Sequence, residues 1–201
     1  RAAQKEDLRL TRDAIYNTHE LAYEGGFIHC ISTYPDLAVV AGSKGILDEL
    51  NSIIKLKDSD FLFSYDTTFS LGEFYVSPLV FKNILFENNP LMAALFLIHE
   101  RKLQETHNLF FRTPSSLVRP LRGLPIVTDM ETAIVRAIKE NTSLNQMGCW
   151  RCLRQDIQRW LTDDLPRVER SDYINDLYEI LRSKLRQNCI DLVEQKKRSL
   201  G

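Results

Sequence analysis

The stretch FLFSYDTTF, residues 61–69, decides how this chain folds. Its apolar start reads as a buried strand, and Asp66, Thr67 and Thr68 then interrupt it. A carboxylate in the body of a buried strand is costly unless it is paired, hydrogen-bonded or bound to a metal. Either the strand ends at Asp66 in a turn, or the acid is there for chemistry.

Working outward toward the C-terminus, EFYVSPLVF (73–81) reads as a second strand, joined to the first through the hairpin-forming SLGE (70–73). MAALFLI (92–98) is a third. HERKLQETHNLFF (99–111) then puts Leu103, His107, Phe110 and Phe111 at helical spacing. After the Pro- and Arg-bearing loop RTPSSLVRPLRG (112–123), LPIVTD (124–129) is a fourth strand. TDME (128–131) has the spacing of a capping box and opens a helix with Ile134, Ala137 and Ile138 facing inward. LNQMGCW (144–150) is a fifth strand. The helix after it carries Trp150, Leu153, Ile157, Trp160 and Leu161 on one side, and Arg151, Arg154 and Arg159 on the other.

Toward the N-terminus, residues 5–24 read as an amphipathic helix stopped by Gly25-Gly26. FIHCI (27–31) and LAVVAG (37–42) are short strands split by the turn TYPD, and Ser43 is placed to cap a helix bearing Ile46, Leu47, Leu50, Ile53 and Ile54. From Tyr173 the tail is one more amphipathic helix, with Ile174, Leu177, Tyr178, Leu181 and Leu185. The expected fold is α/β: a mixed five-stranded sheet flanked by helices. Its expected parts are an N-terminal α/β lead-in (1–59), a core (60–162) and a C-terminal helical segment (163–201).

Of the 201 residues 44% are hydrophobic and 26% charged, the ordinary balance of a globular protein. No apolar run approaches the roughly 20 residues of a membrane helix, so no membrane role is expected. The first residue is Arg1, which suggests a fragment or a processed chain. With 26 basic and 27 acidic residues the net charge is −1, so a grip on nucleic acid must come from a local patch. Four cysteines are too few for a disulfide scaffold and point to reduced thiols inside a cell.

If strands one and four lie side by side and parallel, the chain direction reverses between them, making a switch point of the kind where ligands bind. Asp66 and Asp129, 63 positions apart, then face one another at the strand ends. Two close carboxylates repel unless one is protonated or a cation sits between them. Their hard oxygens suit Mg²⁺ or Mn²⁺. The competing reading makes Asp129 a helix cap and Asp66 a turn residue.

FLFSYDTTFSLGEFYVSPLVF, FLIHERKLQETHNLFF, LPIVTDMETAIVRAI and CWRCLRQDIQRWL together resemble the Mutator-like element (MULE) transposases over about residues 27–161. These are DDE enzymes with a ribonuclease H-like core. The resemblance implies that fold for 60–162, catalytic and metal-binding roles for Asp66 and Asp129, and metal-dependent DNA cleavage and strand transfer. It also implies DNA as partner and a nuclear, otherwise intracellular, location. The family's C-x-x-H reads here Cys149-Trp150-Arg151-Cys152. Its third acid follows a long helical insertion, and none of Glu169, Glu179 and Glu194 is assigned that role. The alternative is therefore an inactive, host-adopted module that binds DNA or protein or associates with itself.

The remaining candidates rest on the residues alone. Cys149 and Cys152 are half a zinc site at most, or structural thiols. Arg122, Arg151 and Arg154, with Arg112, Arg119 and Arg159, are candidate phosphate contacts. His99 and His107, eight apart, are taken as structural because two helical turns separate them.

Overall fold

The computed structural model describes residues 26–56, 61–67, 69–118, 121–164 and 170–182, with Glu20 and Ala22. The helix expected over 5–24 lies, apart from those two residues, outside the described ones, as does Leu185. Two compact units divide the chain, 1–149 and 150–201.

The first unit opens with β1 (Ile28–Ser32), β2 (Ala38–Ala41) and α1 (Lys44–Leu56). Then come β3 (Phe63–Tyr65), β4 (Phe69–Leu71), β5 (Phe74–Lys82) and β6 (Leu91–His99). Helix α2 (Gln104–Arg112), the short α3 (Pro114–Leu117), β7 (Pro125–Thr128), α4 (Thr132–Asn141) and β8 (Asn145–Gly148) complete it. All eight strands join one mixed sheet in the order β1-β2-β6-β5-β3-β7-β8, with β4 on β5. Strand β3 runs parallel to β7, and β7 parallel to β8. The other pairings are antiparallel.

The supposed juxtaposition of the first and fourth expected strands, β3 and β7, is therefore present. The expected sheet of five strands is not complete: among the described residues it has eight. One reason is that β2 pairs with the free edge of β6, from Ala38 opposite His99 to Ala41 opposite Phe96, and brings β1 with it. The lead-in strands thus continue the same sheet. The other reason is that FLFSYDTTF is not one strand. Tyr65 pairs with Leu79 but Phe69 with Val76, so positions 66–68 face only 77–78. Three positions facing two interrupt the ladder between β3 and β4. Asp66 thus lies just beyond β3 rather than within a strand. The hairpin in SLGE does form, with Gly72 at φ +64° between β4 and β5.

Burial alternates along these strands. Phe63 and Tyr65, Ser77, Leu79 and Phe81, and Ile126 and Thr128 are buried, while Ser64 is exposed. Leu47, Leu50 and Ile53 of α1, Phe110 and Phe111 of α2, and Ile134, Ala137 and Ile138 of α4 belong to the same core. The 3.6-residue spacing in each helix supplies one apolar stripe, and the helices bury those stripes. Tyr65 is clamped there, its ring 5.0 Å from Phe110 and 4.9 Å from Phe111.

The second unit holds α5 (Trp150–Asp164) and α6 (Arg170–Arg182). Trp150 packs on Tyr178 at 5.6 Å, and the Arg154 guanidinium lies 5.5 Å from the same ring. The expected apolar stripe of α5 is only partly covered, since Trp150, Leu153 and Trp160 are exposed and Leu161 is buried. Among the described residues no helix is long and apolar enough to cross a membrane.

Candidate functional site

Parallel pairing brings Tyr65 level with Thr128 at the carboxyl ends of β3 and β7. The next residue on each strand is an acid, Asp66 and Asp129. Both are half-buried. Two strands that end together in a parallel sheet present their following residues to one crevice.

The capping box expected from TDME does not form. Glu131, not Thr128, is the N-cap of α4, and it makes no side-chain cap hydrogen bond. Thr128 is still within its strand, where its hydroxyl donates to the Asp129 carbonyl at 2.7 Å and accepts from Gln146 Nε2 at 2.7 Å. The Glu131 N–H instead reaches Asp129 Oδ1, at 3.4 Å. Asp129 therefore has a cap-like contact as well as its place beside Asp66.

Glu131 is the residue that the sequence reading passes over. Burial raises its carboxyl pKa, and the charges of Asp129 and then Asp66 raise it further, while Lys102 lowers it. Glu131 thus feels the charge of both aspartates. The signal was in the sequence, two positions after Asp129, but it was absorbed by the capping-box pattern. Among the described residues no three or more His, Cys, Asp or Glu side chains converge closely enough to hold a metal ion.

Behind the acids lies a buried polar layer. Thr67 Oγ1 and Ser77 Oγ are 2.8 Å apart, and Ser77 Oγ and His99 Nε2 2.9 Å. His99 Nδ1 meets the Arg101 carbonyl at 2.7 Å. That carbonyl can only accept, so Nδ1 carries the proton, Nε2 accepts from Ser77, and Ser77 accepts from Thr67. The Tyr65 hydroxyl shares a 2.8 Å hydrogen bond with His107 Nδ1. Ser77, His99, His107 and Tyr65 are all fully buried. Burial, partly offset by the Ser77 hydroxyl and reinforced by the charges of Glu131, Asp129 and Asp66, holds the Tyr65 hydroxyl well above its usual range.

The two histidines are closer than their spacing implies. His99 ends a strand, not a helical turn, and the chain folds back so that the rings stand 5.5 Å apart. Their structural role agrees with this burial. Burial lowers the pKa of His99, and pushes that of His107 down to about 4 with help from His99 and Lys102. Both rings are neutral near neutral pH. His107 Nε2 is buried without a hydrogen-bond partner.

The other predicted residues are divided between the two units. Arg122 is exposed in the turn before β7 in the first unit, and Arg151 and Arg154 are exposed on α5 in the second. Cys149 closes the first unit and Cys152 belongs to the second; both are half-buried, as is Cys30. Cys189 lies outside the described residues. Compared with known proteins, the chain matches no family model and no curated sequence.

Proposed function

We propose that residues 60–162 form a ribonuclease H-like core resembling that of Mutator-like transposases, with metal-dependent phosphodiester cleavage and transfer as its chemistry. The observation that carries this reading is the order β6-β5-β3-β7-β8. An antiparallel meander turns into parallel strands at β3, and an acid follows each of the two central parallel strands.

The donor set fits a hard divalent cation. Asp66 and Asp129 supply anionic oxygens; burial first, and then their charges, raise the Glu131 carboxyl pKa, and a cation would relieve the part due to charge. Asp66 and Asp129 would hold Mg²⁺ or Mn²⁺, with Glu131 beside them. A bound ion of this kind activates a water or hydroxyl nucleophile and stabilises the leaving oxygen of a phosphodiester. The chain's own contribution is positional. Thr67, tied through Ser77 to His99, fixes the backbone just after Asp66, and Glu131 N–H orients Asp129. Two carboxylates leave room for substrate phosphate oxygens and water, which magnesium commonly retains.

Calorimetric titration with Mn²⁺ of the chain, Asp66→Asn and Asp129→Asn tests this. Binding in the parent that disappears in both variants is the expected result. A parent that binds no Mn²⁺, with Asp66→Asn more stable than the parent, would replace it with the non-catalytic binding module.

A further inference from the structure

Lys102 stands three residues beyond His99, exposed in the turn between β6 and α2. Its ammonium lies 4.8 Å from the centroid of the Tyr75 ring. Tyr75 is 36% exposed, sits opposite His99 in the β5–β6 ladder, and has its ring 5.7 Å from the His99 ring. His99 is itself fixed at both nitrogens, so the aromatic platform rests on a rigid base.

Strand β5 runs antiparallel to both β3 and β6, so its start at Tyr75, the end of β6 at His99 and the end of β3 before Asp66 share one end of the sheet, and Lys102 follows His99 there. Yet Lys102 is in no salt bridge among the described residues, whereas its neighbour Arg101 is tied to Asp36 at 3.3 Å. An exposed cation seated on an aromatic ring and held in no salt bridge among the described residues is placed to take an anionic oxygen arriving from solvent. The ring next to it offers a stacking face, as single-strand binding sites do.

We infer that Lys102 and Tyr75 form a strand-binding subsite at the rim of the acid pair, the ammonium taking a backbone phosphate of single-stranded DNA and the tyrosine stacking a neighbouring base. The inference rests on the nucleic-acid reading of the site. It supplies the local positive group that a chain of net charge −1 needs against a polyanion, and it uses none of the arginines singled out from the sequence.

The test is fluorescence anisotropy of a labelled single-stranded DNA of about 12 nucleotides, with Ca²⁺ present, over a series of salt concentrations. Lys102→Ala is expected to weaken binding roughly tenfold and to reduce the slope of log K against log salt by about 0.7, and Lys102→Arg to restore both. Tyr75→Leu is expected to weaken binding with the slope retained. Both side chains are exposed, so the substitutions spare the core. Equal affinity and slope for Lys102→Ala and a DNA-binding parent would overturn the subsite and leave the reading of the acids standing. A parent that binds no DNA at the lowest salt would overturn both.

Discussion

Asp129 and Asp66 both push the Glu131 carboxyl toward its protonated form, and burial pushes it the same way first. A group whose folded pKa is raised costs stability once it ionises, so this cost is present above that pKa and fades as the pH falls through it. Glu131→Gln removes the repulsion. In urea unfolding at pH 7 it is expected to stabilise the chain by about 0.5 kcal/mol after solvent screening. Mn²⁺ bound at Asp66 and Asp129 would also pull the Glu131 proton off. The calorimetric heat of binding at mildly acidic pH should then differ between buffers of different ionisation enthalpy, and that difference should vanish in Glu131→Gln. Buffer-independent heats in the parent would mean that Glu131 does not sense the ion.

At the scale of elements, the strands and helices of the first unit were legible because their apolar residues recur with periods of two and 3.6. The parallel pairing of β3 with β7 stood in the sequence only as a supposition that a meander followed by alternating helix and strand allows, and the structure shows it. What local pattern could not show was pairing across long separations. Nothing in LAVVAG states that β2 will take the edge of β6, and nothing in FLFSYDTTF reveals that Pro78 will lie opposite the break. The closeness of His99 and His107 was hidden for a similar reason, because it depends on a loop folding back. Gly42, between β2 and α1, is another non-local feature. A Cβ there would collide with the Ala94 carbonyl oxygen of β6 and come within 2.8 Å of Leu95 Cδ2. Gly42→Ala should therefore destabilise the chain by roughly 1–3 kcal/mol in a urea melt, although alanine is the smallest side chain. An unchanged midpoint would show that β2 and β6 do not approach so closely.

For the molecule as a whole, the buried histidine pair links the site to acid stability. His107 titrates at about 4 in the folded chain, lowered by burial, His99 and Lys102, against about 6.5 in the unfolded chain. As the pH falls below about 6.5 the unfolded chain takes up a proton that the folded chain refuses. Stability is therefore full above that pH, is lost progressively down to about 4, and changes no further from this group below it. A gap of that size corresponds to roughly 3 kcal/mol, a large share of the 5–15 typical of a domain. His99 is lowered in the same direction and adds to the loss. Glu131 acts in the opposite sense, but it is partly solvated and its contribution is screened. His107→Asn separates these terms, because the Asn Oδ1 falls near the place of Nδ1 and can still accept from Tyr65, while nothing titrates. It also removes the partnerless Nε2. Urea unfolding of parent and variant at about pH 7.5 and about pH 4.5 gives the comparison. The parent should lose about 2 kcal/mol or more between the two, and the variant markedly less, even if the smaller side chain leaves it weaker at both. Equal losses in parent and variant would mean that His107 takes up its proton inside the fold.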